Sequence, residues 1–225
     1  MGYLLREKFN CFNEDHIPYG LDCEVSSFFA HKHVRVTDDK KFYISAGGNK
    51  YLFKCPDFMN TKLEIDFHFH YIAGKDLGIE YFFRYDGVRR RGLVLSAVFA
   101  KPNIISFNLE YIDGIKRTAL GSESLSGVPY PAEFEQQSLH ISVEGERLTA
   151  RINDKTVRID IPAELCIAGR SGIGIINMPG ETGFTAAALS SDDKIEGYDI
   201  YFVESTNFAS HFDTSLAVLE YISSS

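Results

Sequence analysis

Between Thr61 and Tyr85 apolar and polar residues alternate with a period of two. Leu63, Ile65, Phe67, Phe69 and Tyr71 are apolar, and Glu64, Asp66, His68 and His70 lie between them. After Gly74-Lys75-Asp76 the pattern resumes with Ile79, Tyr81, Phe83 and Tyr85. Successive side chains of a strand leave opposite faces, so the alternation predicts two strands, Leu63–Ile72 and Ile79–Tyr85, each with one apolar face. Their odd-numbered residues are expected in the core, with Phe67 among the most buried.

The same reasoning extends along the chain. Leu93–Phe99 is almost continuously apolar, as a strand covered on both faces requires. Ile105, Phe107, Leu109 and Tyr111 alternate strictly, and Asp113-Gly114 suits a two-residue hairpin. Three compact strands follow, Leu139–Glu144, Leu148–Ile152 and Val157–Ile161, separated by turns at Gly145-Glu146 and Asn153-Asp154-Lys155. Ile173–Met178, Phe184–Ala188 and Tyr198–Glu204 complete the later strands, and Val34–Val36, Phe42–Ser45 and Tyr51–Lys54 are short earlier ones. The region before Tyr43 is otherwise irregular. Gly121–Gln137 is rich in Ser, Gly, Pro and Glu and is expected to be a long loop, the best place in the interior for a functional segment. Near the end, Asp213-Thr214 can cap a short helix through Leu216, Leu219 and Ile222.

About a dozen strands without a long helix predict an all-β protein: an antiparallel β-sandwich, or jelly roll, of two curved sheets. Residues 1–205 are assigned to the sandwich and 206–225 to a C-terminal flank or a linker stub. The 225 residues suffice for one such domain, and the aromatic content, 18 Phe and 12 Tyr without Trp, fits pleated surfaces.

Composition narrows the partners. A net charge of -8 argues against nucleic acid and against an anionic membrane as the main partner. Arg89-Arg90-Arg91 is the one dense basic run, and it is expected to be a solvated turn or an edge-strand guard. The N-terminal residues lack the apolar core of a signal peptide, so the expected location is cytoplasmic and Cys11, Cys23, Cys55 and Cys166 are expected as reduced thiols. A nucleophile elbow and a complete dinucleotide fingerprint are both missing around Gly169–Gly174.

Several segments resemble the concanavalin A-like lectin and glucanase superfamily. They are Leu139–Gly145 with Leu148–Val157, the Ser171-Gly172-Ile173-Gly174-Ile175 strand, the closing Gly197–Phe202, and Phe58–Tyr85. The likeness spans roughly Phe9 to Glu204 and includes laminin-G-like domains, laminarinase-type glucanases and 3-keto-disaccharide hydrolase-type domains. It implies the sandwich fold and an association with carbohydrate, as an appended module or as an enzyme. Glu64-Ile65-Asp66-Phe67 resembles the first half of the glucanase motif E-[ILV]-D-x-x-E, but His68 and Phe69 stand where its second glutamate belongs.

The expected function is a non-catalytic carbohydrate-associated module, accessory to a sugar-processing enzyme. Two alternatives stand beside it: a glycoside hydrolase or lyase acting through Glu64 and Asp66, and a structural or assembly domain. Paired carboxylates on one strand face are what glycoside hydrolysis uses. The expected ligand face holds Glu64, Asp66, His68 and His70, extended by Glu80 and Arg84 from the even positions of a neighbouring strand. Tyr130, between Pro129 and Pro131, is the aromatic most open for stacking on a sugar. His68 and His70 with Asp66 are a candidate zinc set. Asp199 with the Asn13-Glu14-Asp15 loop is a candidate calcium site, and no other cofactor is expected. A carbohydrate or glycoside ligand and an adjacent catalytic domain or protein are the expected partners.

Overall fold

The computed structural model describes residues 3–9, 17–18, 20–24, 34–36, 41–44, 49–70, 77–176, 181–194, 201–204 and 218–220. In chain order the strands are β1 (Tyr3–Glu7), β2 (Leu21–Glu24), β3 (Val34–Val36), β4 (Phe42–Ile44), β5 (Lys50–Phe53), β6 (Thr61–His70), β7 (Leu77–Asp86), β8 (Arg91–Ala100) and β9 (Ile104–Asp113). They continue as β10 (Lys116–Ser126), β11 (Gln137–Glu144), β12 (Arg147–Ile152), β13 (Lys155–Asp160), β14 (Arg170–Ile175), β15 (Glu181–Ser191), β16 (Tyr201–Glu204) and β17 (Val218–Glu220). A 3-10 turn, Ala163–Leu165, precedes β14. Among the described residues no helix is long and apolar enough to cross a membrane.

Two sheets face each other. The ten-stranded sheet runs β13-β12-β11-β6-β15-β1-β16-β17, with β4 also on β15 and β3 on β4. The seven-stranded sheet runs β10-β9-β8-β7-β14-β5-β2. All described pairings are antiparallel except β1 with β16. Odd residues of β6 meet odd residues of β7, β8 and β9 in a continuous apolar core, where Phe67 and Phe69 lie 6.4 and 5.8 Å from the Phe99 ring. Phe67 is fully buried, as its alternation predicts. The Tyr81 hydroxyl bonds Thr61 Oγ1 at 2.8 Å and Ser171 Oγ at 3.2 Å, so its polar tip is satisfied within the core.

The structure corrects several expectations. β6 and β7 are not neighbours: β6 pairs with β11 and β15, and β7 with β8 and β14. Alternation reports which face of a strand is buried but not which strand lies beside it, and two strands can bury odd faces against one core from opposite sheets. The expected loop from Gly121 is shorter, because β10 continues to Ser126 along β9 with a bulge near Gly121. The β9–β10 turn is shifted by one residue: Asp113 pairs with Lys116, leaving Gly114, at φ +63°, and Ile115 as its tip. Two strands, β1 and β2, lie in the N-terminal region that shows little alternation. Leu219, placed in a helix by pattern, lies instead in β17, which pairs with β16 beyond residue 205. Asp213, Thr214, Leu216 and Ile222 lie outside the described residues.

Candidate functional site

Even residues of β6 point away from the core, and their neighbours follow from the register. Ser138, His140 and Ser142 of β11 stand opposite Asp66, Glu64 and Lys62, while Ala186 and Ala188 of β15 flank the other side. The result is a strip from Glu64 to His70, about 20 Å long at the rise of an extended strand. Glu64 is mostly exposed and lies 3.4 Å from His140 Nδ1. The Ser138 hydroxyl donates to Asp66 Oδ1. Thr185, extruded by a bulge in β15, donates to the Asp66 carbonyl at 3.2 Å and accepts from the Gln136 amide at 3.0 Å.

The two histidines end the strip differently from each other. His68 is buried, with Nε2 2.8 Å from the Tyr43 hydroxyl. This fit depends on Gly183, because a Cβ there would stand 2.6 Å from His68 Nε2 and 2.7 Å from Tyr43 Cε1. His70 is partly open, with Nδ1 3.2 Å from Glu181 and Nε2 3.6 Å from Glu133. Both imidazoles are therefore engaged by protein groups. Among the described residues no group of three His, Cys, Asp or Glu side chains is arranged to hold a metal, so His68, His70 and Asp66 are not brought together as a ligand set. Asn13, Glu14, Asp15 and Asp199, the candidate calcium set, lie outside the described residues.

Phe134 completes the strip, and sequence reasoning missed it. Its ring lies 4.5 Å from the His70 ring and 6.0 Å from that of His68, yet 55% of the residue remains exposed. Its φ is +62°, a left-handed conformation that a bulky residue adopts only when its surroundings impose it. The imposing contact is the bond from Phe134 N–H to the Phe69 carbonyl at 2.8 Å, which ties the loop to the end of β6. A signal was present: one aromatic inside the polar run Glu133-Phe134-Glu135-Gln136 has no core face to serve. Tyr130, the expected aromatic, is half-buried against the core with the Lys101 ammonium 5.0 Å over its ring.

Glu80 and Arg84 belong to the other sheet and do not extend this strip. Glu80 is buried on the outer side of β7, where Oε1 accepts from Arg117 Nη1 at 2.5 Å and Oε2 has no hydrogen-bond partner among the described residues. Burial pushes its carboxyl above the ordinary value, against the lowering pull of Arg117. Phe82, Val94 and Ile112 form a separate apolar cluster on the same side.

Arg84 sits at a bulge with φ +50°, where the pairing of β7 with both β8 and β14 shifts register. The extra residue reverses the alternation. Tyr85, expected in the core, is buried instead beside Phe82 with its hydroxyl on Glu24. Arg84 turns to the end of the sandwich and donates to the carbonyls of Met59, Gly145 and Leu165 and to Cys166 Sγ. Its guanidinium is a structural tie. Near it a cleft of about 840 Å³ is lined by Asp22, Glu24, Tyr85, Arg91, Tyr111 and Arg170 among others.

No protein-family model matches the sequence, and no curated protein matches it. Solved structures do resemble it. The Emp47p carbohydrate recognition domain superposes with a TM-score of 0.56 at 15% identity, covering 83% of this chain and 94% of that one. A Bacillus licheniformis beta-glucanase gives 0.56 at 10% identity, covering 82% and 96%. The carbohydrate-binding module CBM66 from Bacillus subtilis gives 0.50 at 13% identity, covering 75% and 91%. With its two facing sheets, the chain has the concanavalin A-like jelly-roll fold that these structures share.

Proposed function

We propose that this chain is a carbohydrate-binding β-sandwich module that holds its ligand along the outer strip of β6, as an accessory to a sugar-processing enzyme. The observation that carries the reading is Phe134, a ring held open in a strained loop beside His70 and in line with carboxylates and hydroxyls. A sugar has an apolar C–H face and a rim of hydroxyls, and an aromatic ring flanked by polar side chains complements both. Asp66 and Glu64 accept from hydroxyls; Ser138, Gln136 and His140 supply further polar contacts. The printed names of the resembling structures, a carbohydrate recognition domain and a carbohydrate-binding module, support the class of ligand.

The glucanase likeness keeps catalysis through Glu64 and Asp66 as a second reading. Glycoside hydrolysis needs one carboxyl kept protonated by apolar surroundings, whereas Glu64 is exposed on an open face. A glycan array followed by calorimetry on its best ligand tests the binding reading. Phe134→Ala is expected to weaken binding at least about tenfold, the effect of losing one stacked ring. Equal affinity of wild type and Phe134→Ala would move the site elsewhere. Turnover of a chromogenic glycoside, lost in Glu64→Gln, would favour the enzyme.

A further inference from the structure

The Arg89-Arg90-Arg91 run takes no part in the strip on β6. Arg89 and Arg90 lie in the β7–β8 turn, whose apex residue Val88 is 95% exposed, and Arg91 opens β8. The β9–β10 turn presents Ile115, which is 97% exposed. Single exposed aliphatics are ordinary, but these two occupy neighbouring tips joined by a hydrogen bond from Gly114 N–H to the Arg90 carbonyl at 2.9 Å. The first tip is also held from within, since Asp86 Oδ1 accepts from the amides of Val88 and Arg89, each at 3.0 Å. Below the tips, Asp86, Arg91, Asp113 and Lys116 stand side by side across four strands. In this row each acid lies beside a base, leaving Arg89 and Arg90 as the cations nearest the apex. Arg89 retains a loose contact with Asp86 at 3.8 Å.

We propose that these paired hairpin tips dock on an anionic lipid surface, with Val88 and Ile115 entering the interface between headgroups and acyl chains and Arg89 and Arg90 meeting lipid phosphates. Interfacial binding of this kind scales with buried apolar area plus attraction to anionic lipid. Two exposed tips with aliphatic apices suit a soft surface that yields to them, whereas a polyanion such as nucleic acid offers nothing for the two aliphatic residues. The net charge of -8 argues against an anionic membrane for the chain as a whole, but charges farther than about 8 Å from the contact are largely screened at physiological salt, so the groups at the tips decide it. Asp22, Glu24, Asp57 and Glu164 line the neighbouring cleft with Val88, Arg89 and Arg91, and Glu24, the one of these acids that approaches the tip at Gly87, is paired with Lys50, so the approach is by the tips rather than by the cleft mouth.

The test is co-sedimentation of the full chain with vesicles of phosphatidylcholine alone and of phosphatidylcholine mixed with phosphatidylserine. Wild type is expected to sediment with the mixed vesicles, less as salt rises, and not with neutral ones. The pairs Val88→Asp with Ile115→Asp, and Arg89→Glu with Arg90→Glu, should each weaken binding at least about tenfold. Both should melt as wild type does. Phe134→Ala should bind vesicles normally, which separates this surface from the sugar strip. Failure to bind mixed vesicles, or equal binding by the Val88→Asp, Ile115→Asp protein, overturns the proposal. Retention of wild type on immobilised polyglutamate without vesicle binding would assign the tips to an acidic protein surface instead.

Discussion

β6 and β7 are ten-residue strands with nearly the same written alternation, and the structure treats them differently. Along β6 odd positions are buried and Glu64 and Lys62 are exposed, so its outer side is a surface. Along β7 every residue from Leu77 to Tyr85 is buried, including Glu80 and Arg84. β6 keeps Lys62 and Glu64 wet and covers His68 only towards its end, whereas β7 encloses both Glu80 and Arg84. Buried charges need partners: Arg117 serves one oxygen of Glu80, and three carbonyls and a thiol sulfur serve Arg84. Binding is therefore expected on β6, and stability effects on both core faces and on the outer side of β7.

The comparison is sharpest in mutations. Phe67→Ala, on the shared core, should cost about 3–5 kcal/mol in chemical denaturation. Arg84→Ala should cost about 2–4 kcal/mol, because it removes the charged donor that ties together three part-buried carbonyls and the Cys166 sulfur; a value near zero would show that the tie contributes little. Glu80 predicts a pH effect. Its folded carboxyl titrates above the ordinary value of 4.5, so the unfolded chain loses this proton first as pH rises. The associated stability is present below that value and declines until the pH passes the folded pKa. Glu80→Gln should lack this decline, measured as the difference in melting profiles from pH 4 to 8, where parallel profiles would refute it. The smallest expected effect is Asp66→Ala, at less than ~0.5 kcal/mol of stability, with weaker binding in titration against an array-identified glycan.

Periodicity made the core legible. Leu63, Phe67, Tyr81 and Phe83 lie inward as their alternation predicts, because burial of one face is a local property of a strand. The Gly145-Glu146 turn was legible too, since Glu144 and Arg147 pair directly across it. Sheet membership was not: whether β6 lies beside β7 or across the core from it depends on pairings with β11 and β14, far away in sequence. The bulge at Arg84 was equally hidden, because an extra residue leaves the composition of a strand unchanged while reversing its faces. At the candidate strip, Glu64, Asp66, His68 and His70 share one side as predicted by spacing. The coverage of the two histidines by Tyr43 and Phe134 comes from β4 and a loop, and no local pattern announces it.

The tie made by Arg84 also bears on the order in which the chain assembles. Its acceptors are separated from it by 25, 61, 81 and 82 residues, and they lie on both sides of it in sequence. Such a contact closes only after Gly145, Leu165 and Cys166 have been brought to the same end, so it belongs to the late side of the folding barrier. Weakening it is then expected to speed unfolding while leaving the refolding rate nearly unchanged. In stopped-flow measurements on Arg84→Lys, the unfolding arm should rise and the refolding arm should overlay wild type. A single guanidinium would thus govern the lifetime of the folded sandwich rather than its formation.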